Sequence, residues 1–281
     1  MNVLMPETLS EACQMLAAHG PGVVPLAGAT DLLVHWPVRP AEHDRTYLDL
    51  SNVAELRALA WSDSALTLGA MTTYWDVIQD ARAAAEFPLL IDAGRQVGSL
   101  QIQSRGTWAG NIANGSPAAD GVPVLMAYDA VVTLVSSTGT RAVPLCDFYT
   151  GYRKSVRRAD ELISAITLPR RPFALGVFHK VGPRRAQAIS KVGVAVTCAA
   201  GGGSGAWRVV ANSVAETVRR CRAVERVLEG GPRVKTPDDF LAAVSADVAP
   251  IDDIRSTAEY RRTVLCRILY HSLKGQCPWV V

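Results

Sequence analysis

No run of about eighteen apolar residues occurs anywhere in this 281-residue sequence, so no segment reads as a membrane-spanning helix. Charge of one sign is also scarce. The 29 Lys and Arg against 26 Asp and Glu leave a formal +3, too little to mark a nucleic-acid surface. Aromatics, at 6%, are scattered and form no stacking platform. The six cysteines (Cys13, Cys146, Cys198, Cys221, Cys266 and Cys277) contain no C-x-x-C or C-x-x-H spacing. Zinc and iron–sulfur ligands usually come from such close pairs, so ordinary thiols are expected and no metal site. Any redox role must then rest on an organic carrier. A G-x-G-x-x-G after a strand and a G-x-x-x-x-G-K-[ST] are both missing, which excludes the Rossmann fingerprint and the P-loop. No Ser/His/Asp set or Cys/His pair stands at informative spacing, and His19, His35, His43, His179 and His271 are isolated, so no catalytic residue is assigned. The N-terminus lacks a basic n-region and carries Glu7 and Glu11, so it reads as a helix rather than a signal peptide, with the cytoplasm as the expected compartment.

What the sequence does contain is the apolar content of a globular protein, 49% hydrophobic and 20% charged residues, at a length that suits two domains. Thr8 and Glu11 make a capping box ahead of Leu9, Ala12, Cys13 and Leu16 at helical spacing, with Gly20 as the stop. Val23 to Leu26 and Thr46 to Leu50 read as strands about a helical turn begun at Asp31 to Trp36 and ended by Pro37 and Pro40, a small β-α-β-like unit closing near residue 52. Ala65 to Leu68 reads as a strand. Trp75 to Ala85 and Leu89 to Val97 read as helices broken at Pro88, and Val122 to Tyr128 as another. Ala130 to Val135 and Glu161 to Leu168 are strand candidates, and Pro169 to Pro172 is the best linker. Beyond it, Val192 to Ala200 and Trp207 to Ala211 flank a Gly201 to Gly205 turn. A helix is expected over Glu216 to Leu228 with Cys221, Val224 and Leu228 on one face. A last helix should open with a Ser256–Glu259 capping box, turn Tyr260, Val264, Leu265, Ile268 and Leu269 inward, and end at Gly275. Strands followed by helices imply an α+β fold.

Two small-residue turns carry the functional reading. Leu26-Ala-Gly-Ala-Thr-Asp31 follows a strand, and Arg105 to Asp120 is small, polar and glycine-rich between apolar stretches, expected as a partly buried loop serving a ligand. Turns without Cβ atoms let backbone N–H groups converge on an anion, and a diphosphate is the natural guest. Thr30, Thr107 and Asn111 offer side-chain hydrogen bonds, and Asp120 suits the hydroxyl or amino groups of a nucleotide. Arg153 to Arg158 and Arg184-Arg185 read as solvated faces or subunit contacts.

At these residues the sequence resembles the FAD-binding subunit of the xanthine dehydrogenase and carbon monoxide dehydrogenase family. Leu26-Ala-Gly-Ala-Thr-Asp-Leu32 is similar to the family's A-G-G-T-D-L. Thr107-Trp-Ala-Gly-Asn-Ile-Ala-Asn-Gly-Ser-Pro-Ala-Ala-Asp120 is similar to its T-x-G-G-N-I-x-x-(small)-S-P-x-x-D. His179-Lys-Val-Gly-Pro-Arg-Arg185 resembles a K-x-x-R-R element, and Asp253 to Arg262 resembles D-x-R-x-S-A-x-Y-R-R. The resemblance implies an FAD-binding domain of the PCMH/vanillyl-alcohol-oxidase-like kind over 1–171, in subdomains of about 1–52 and 53–171. A smaller α+β domain over 172–281, like the C-terminal domain of the CO dehydrogenase flavoprotein, would follow. It further implies that Leu26, Ala27, Gly28, Ala29, Thr30 and Asp31, with Thr107, Ala109, Gly110 and Asn111, hold the FAD diphosphate. Asp120 would meet the nucleotide half, and Ile163 and Lys180 the flavin or its ribityl chain. Ala29 and Ala109 stand where many relatives have glycine, and alanine resists φ > 0, so the backbone there is either conventional or a cost to binding.

The family's organisation implies partners: a small [2Fe-2S] subunit and a large molybdenum cofactor subunit, in a heterotrimer or a dimer of heterotrimers, with NAD or another acceptor taking the electrons. Molybdenum and the clusters are expected only in those partners. Ala93 to Ser99 and Phe148 to Ser155 look more like xanthine dehydrogenases, pointing to a purine or related N-heterocycle as the substrate of the complex. Two competing expectations are a subunit that keeps the fold but has lost FAD, and a stand-alone flavin oxidase.

Overall fold

The computed structural model describes residues 2–35, 45–203, 205–231 and 233–281. The chain begins with a strand, β1 (Asn2–Leu4), ahead of helix α1 (Leu9–His19), so only the second part of the N-terminal segment is helical. Thr8 caps α1 by accepting the N–H of Glu11 (3.1 Å), but the Glu11 carboxylate takes the N–H of Glu7 (2.9 Å), so the capping box is half made. Strands β2 (Val23–Leu26) and β3 (Thr46–Asp49) complete a parallel sheet in the order β1-β3-β2. A 3-10 turn follows over Leu32–His35, and the expected stop at Trp36, Pro37 and Pro40 lies outside the described residues.

The second layer opens with β4 (Leu59–Trp61) and β5 (Ala65–Gly69). Helices α2 (Tyr74–Gln79), α3 (Ala81–Glu86), α4 (Pro88–Gly94), α5 (Leu100–Gln103), α6 (Trp108–Asn114) and α7 (Gly121–Ala127) follow. The chain returns through β6 (Val131–Ser136), β7 (Gly139–Pro144), a small hairpin β8 (Tyr149–Gly151) and β9 (Lys154–Ser155), and β10 (Leu162–Pro169). The antiparallel sheet runs β4-β5-β10-β6-β7. The helix expected over Trp75 to Ala85 is broken at Asp80, whose carboxylate leaves α2 to cap α3 at Ala83 N–H (2.7 Å).

The glycine-rich segment expected as a loop is largely helix. Thr107 caps α6, Trp108 and Ile112 bury one face at i, i+4, and Gly115 stops it in the left-handed region at φ +61°. A good cap and two buried anchors outweigh the weak helix propensity of Gly110 and the asparagines.

The last third forms the antiparallel sheet β11 (Phe173–Val181), β12 (Val192–Ala199), β13 (Trp207–Asn212) and β14 (Arg219–Arg220) in sequence order. Helices α8 (Arg222–Gly230), α9 (Leu241–Asp247) and α10 (Ala258–Leu273) share one core with it. The helix expected from Glu216 starts only at Arg222, because Arg219–Arg220 pairs with β13. Cys221 is fully buried at the cap position, and Asp247 caps α8 in its stead through the N–H groups of Ala223 (2.8 Å) and Val224 (2.9 Å). The cap of α10 is Thr257 rather than Ser256. Leu265 and Leu269 point inward as expected, but Tyr260 is 41% exposed and Arg261 takes the inward place at 3%.

Helix α7 is apolar and buried over its whole length, lodged between α4 and α6 on one side and β12 and β13 on the other. Thr197 of β12 donates to the Ala127 carbonyl (2.8 Å), and Asn212 of β13 to that of Ala119 (2.7 Å).

Candidate cofactor site

The two small-residue turns meet. A Cβ on Gly28 would lie 1.9 Å from the Arg105 carbonyl oxygen, so the first turn rests against the backbone that leads into α6, and only glycine permits that contact. A Cβ on Gly106 would sit 3.4 Å from Thr30 Oγ1, and one on Gly110 3.9 Å from the Ala27 Cβ. Leu26 enters this junction from β2, its carbonyl tied to Leu50 N–H (3.0 Å), while Asp31 leaves it exposed to solvent. Ala29 is left-handed at φ +58°, a conformation that costs a residue with a Cβ about 1–2 kcal/mol. Ala109 has no such burden. It lies within the first turn of α6 and is buried.

The polar groups here are only partly committed. Thr107 Oγ1 accepts Gly110 N–H (2.9 Å), and Asn111 N–H reaches the Thr107 carbonyl (3.0 Å). Among the described residues, no protein acceptor takes the N–H groups of Gly28, Ala29, Thr30 or Ala109, and the buried Asn111 Oδ1 has no partner. Beneath the turns lie two aromatic residues that sequence reasoning missed. Tyr74 and Trp108 pack with ring centroids 4.5 Å apart, and Tyr74 Oη and Trp108 Nε1 are buried without partners. Burial, then the nearby Asp120 and Tyr149, push the Tyr74 hydroxyl far above its ordinary range, so it stays a neutral donor.

Asp120 and Lys180, assigned separately in the sequence, form one ion pair of 2.6 Å, the side chains 10% and 7% exposed. Lys180 Nζ also donates to the Gln96 carbonyl (2.8 Å). The other oxygen of Asp120 accepts Ser190 Oγ (2.5 Å) and Asn212 Nδ2 (3.2 Å). Asn212 fits only because residue 193 is glycine, whose added Cβ would lie 2.4 Å from Asn212 Oδ1. Lys180, Ser190 and Asn212 all come from the last third of the chain, Asp120 from the junction of α6 and α7. Open space of about 440 Å³ beside Lys180 is lined by Gln96, Val181, Gly182, Arg184 and Arg185. Ile163 is buried in β10 at a bulge, within the core of the five-stranded sheet. Arg261, absent from the sequence-based assignment, binds the Ser213 carbonyl and Asp253, each at 2.6 Å. Its helical phase and its place in the Asp253 to Arg262 motif are the signals the sequence carries. Among the described residues no three His, Cys, Asp or Glu side chains are placed to hold a metal ion, and no helix is long and apolar enough to cross a membrane.

Residues 1–171 match the family model described as the FAD binding domain in molybdopterin dehydrogenase, and residues 178–275 match the CO dehydrogenase flavoprotein C-terminal domain. The chain is 32% identical to the xanthine dehydrogenase FAD-binding subunit of Escherichia coli O157:H7, over 90% of this chain and 88% of the relative. It is 27% identical to the carbon monoxide dehydrogenase medium chain of Hydrogenophaga pseudoflava, over 96% and 94%. The solved carbon monoxide dehydrogenase from that organism, in a form lacking the Mo-pyranopterin moiety of the molybdenum cofactor, superposes with a TM-score of 0.88 at 27% identity, covering 99% of this chain and 98% of that one. With both family models matched in order on an α+β fold of the same architecture, the chain belongs to the family of FAD-binding medium subunits of molybdenum-containing dehydrogenases of the xanthine and carbon monoxide dehydrogenase type.

Proposed function

We propose that the chain holds FAD along the joined turns and conducts electrons between the [2Fe-2S] clusters of a small partner and NAD or another acceptor, while a large molybdenum subunit performs the hydroxylation. The carrying observation is the contact of Gly28 with Arg105, which brings the unclaimed N–H groups of Gly28, Ala29 and Thr30 together with that of Ala109 and the orphaned Asn111 Oδ1. Such a cradle fits a diphosphate without a P-loop, since buried N–H donors left unpaired by protein are costly unless a ligand's oxygens accept from them; Asn111 Oδ1, an acceptor, pairs instead with a hydroxyl or amide donor of the cofactor. On this reading Leu26 to Asp31 and Thr107 to Asn111 grip the diphosphate. Lys180 and Asp120, being one ion pair, act on the same stretch of the cofactor rather than at opposite ends of it, and Ile163 contributes apolar packing. When bound, FAD supplies the redox chemistry that these side chains position and tune.

The substrate proposed for the complex is a purine or related N-heterocycle, supported by the likeness to the Escherichia coli xanthine dehydrogenase subunit. Assembly as a heterotrimer or a dimer of heterotrimers in the cytoplasm belongs to the same reading. Purified natively, the protein should bring down two further chains and show flavin bands above a broader iron–sulfur shoulder. Asn111→Ala should then lower FAD occupancy while leaving the urea midpoint unchanged or raised, because it deletes a buried unpaired oxygen. A colourless chain that takes up no added FAD would sink the proposal in favour of a subunit that has kept only the fold. The left-handed Ala29 is the feature that would favour that outcome.

A further inference from the structure

The Asp120–Lys180 pair is held by residues to which no role in flavin chemistry has been given. Ser190 is fully buried, and its hydroxyl reaches Asp120 Oδ1 at 2.5 Å. Its carbonyl accepts Ser213 Oγ (3.0 Å). Ser213 is pinned twice more, its N–H donating to the Pro117 carbonyl (2.7 Å) and its carbonyl taking Arg261 Nη1, and its backbone is left-handed at φ +61°. A serine held in that conformation by three polar contacts is over-determined, and such strain persists only where the surroundings enforce it. The loop before β12, the end of β13 and the buried Arg261 of α10 thus aim one hydroxyl at one carboxylate oxygen.

An uncompensated Asp120 would offset much of the field of Lys180, because the charges are 2.6 Å apart and both side chains are largely buried. A hydroxyl proton pointed at the other oxygen opposes the negative charge and leaves more of the lysine's field in force. From this geometry we infer that Ser190 is a positioning residue for the flavin: through Asp120 it sets how much of the Lys180 charge the cofactor feels. This inference rests on the proposal that Lys180 borders the flavin, where a positive field favours the charge added on reduction.

The test is the FAD midpoint potential of the intact complex for a set of variants. Lys180→Met should lower the potential and Asp120→Asn should raise it. Ser190→Ala should lower it in the native background and leave it unmoved in the Asp120→Asn background, since contacting residues that act through one another are non-additive. Ser190→Cys, slightly larger and a weaker donor, should give a smaller shift of the same sign and covers the case in which the alanine variant does not fold. An equal shift in both backgrounds, or none in the native one, overturns the role of Ser190. A potential unmoved by Lys180→Met overturns instead the placement of Lys180 at the flavin, so the two failures are distinct.

Discussion

Gly28→Ala isolates the contact that joins the two turns. The added methyl would lie 1.9 Å from the Arg105 carbonyl oxygen and 2.6 Å from its carbon. Non-bonded heavy atoms settle at about 3.5–4.0 Å, so the turn and the segment before α6 must part by roughly 1.5 Å or more. The obstacle is backbone, which cannot rotate aside as a side chain would. Gly28 is not among the residues with positive φ, so an alanine there meets no left-handed strain, and beyond the stiffer unfolded chain, worth about 0.4–1 kcal/mol in its favour, the effect comes from the contact. Overpacking of this kind costs about 1–3 kcal/mol, enough to move a urea midpoint by roughly 1 M at an ordinary slope. The same displacement exceeds the tolerance of a hydrogen bond to phosphate, and losing one bond to a charged group, about 1.5–3 kcal/mol, weakens FAD binding about ten- to hundredfold. Urea denaturation of the FAD-free chain and a flavin titration monitored by fluorescence quenching measure the two effects separately. A variant with the native midpoint and native affinity would refute the contact. A destabilised variant of native affinity would refute the claim that both turns share the ligand.

Ala29→Gly should run the other way: relief of the left-handed strain, about 1–2 kcal/mol, is offset by about 0.4–1 kcal/mol from the extra freedom glycine gives the unfolded chain, so denaturation should show a change between zero and about 1.5 kcal/mol of stabilisation. Glu161 is gripped by Arg141 at 2.6 and 2.8 Å and by Arg158 N–H at 2.7 Å, and chiefly the hydrogen bonds from Arg141 hold its carboxyl down from 4.5 to about 2. Since the folded value is depressed, this contribution is complete above pH 4.5 and is lost as pH falls towards 2. Melting curves of the native chain should therefore drop more steeply than those of Glu161→Gln across that window, and parallel curves would contradict the assignment.

Much of the architecture was readable because its signals are local. The Thr8 cap with Ala12, Cys13 and Leu16, the β-branched run of β6 and the glycine hairpin between β12 and β13 each sit within a dozen residues. The differences have two causes, a tertiary partner overriding a local preference and a local signal hidden by composition. Arg219 and Arg220 are drawn out of the expected helix by pairing with β13, and Arg261, in phase with Leu265 and Leu269, faces inward in place of Tyr260 because the Ser213 carbonyl and Asp253 meet its guanidinium. The stretch after Arg105 read as a loop because its residues are small, although Thr107, Trp108 and Ile112 already had the spacing of a capped amphipathic turn. At the site, composition marked both turns, but nothing local could reveal that Gly28 touches Arg105. Ile163 and Lys180 came through family resemblance alone. The Ser190–Asp120–Lys180 junction spans distant parts of the chain and left no periodic trace.

The burial of α7 has a consequence for how the protein is made. Chains emerge from the ribosome N-terminus first, and everything needed to form both turns is synthesised before the strands that cover the second face of α7. Until Val192 to Asn212 arrive, Gly121 to Ala127 presents an apolar flank with no lid, and Asp120, which meets its lysine and serine only after residues 180 and 190, still lacks its asparagine. The nascent cradle is thus sticky and unfinished at the stage when its own glycines and capping threonine are already in place, and completion of the site waits on the last third of the message.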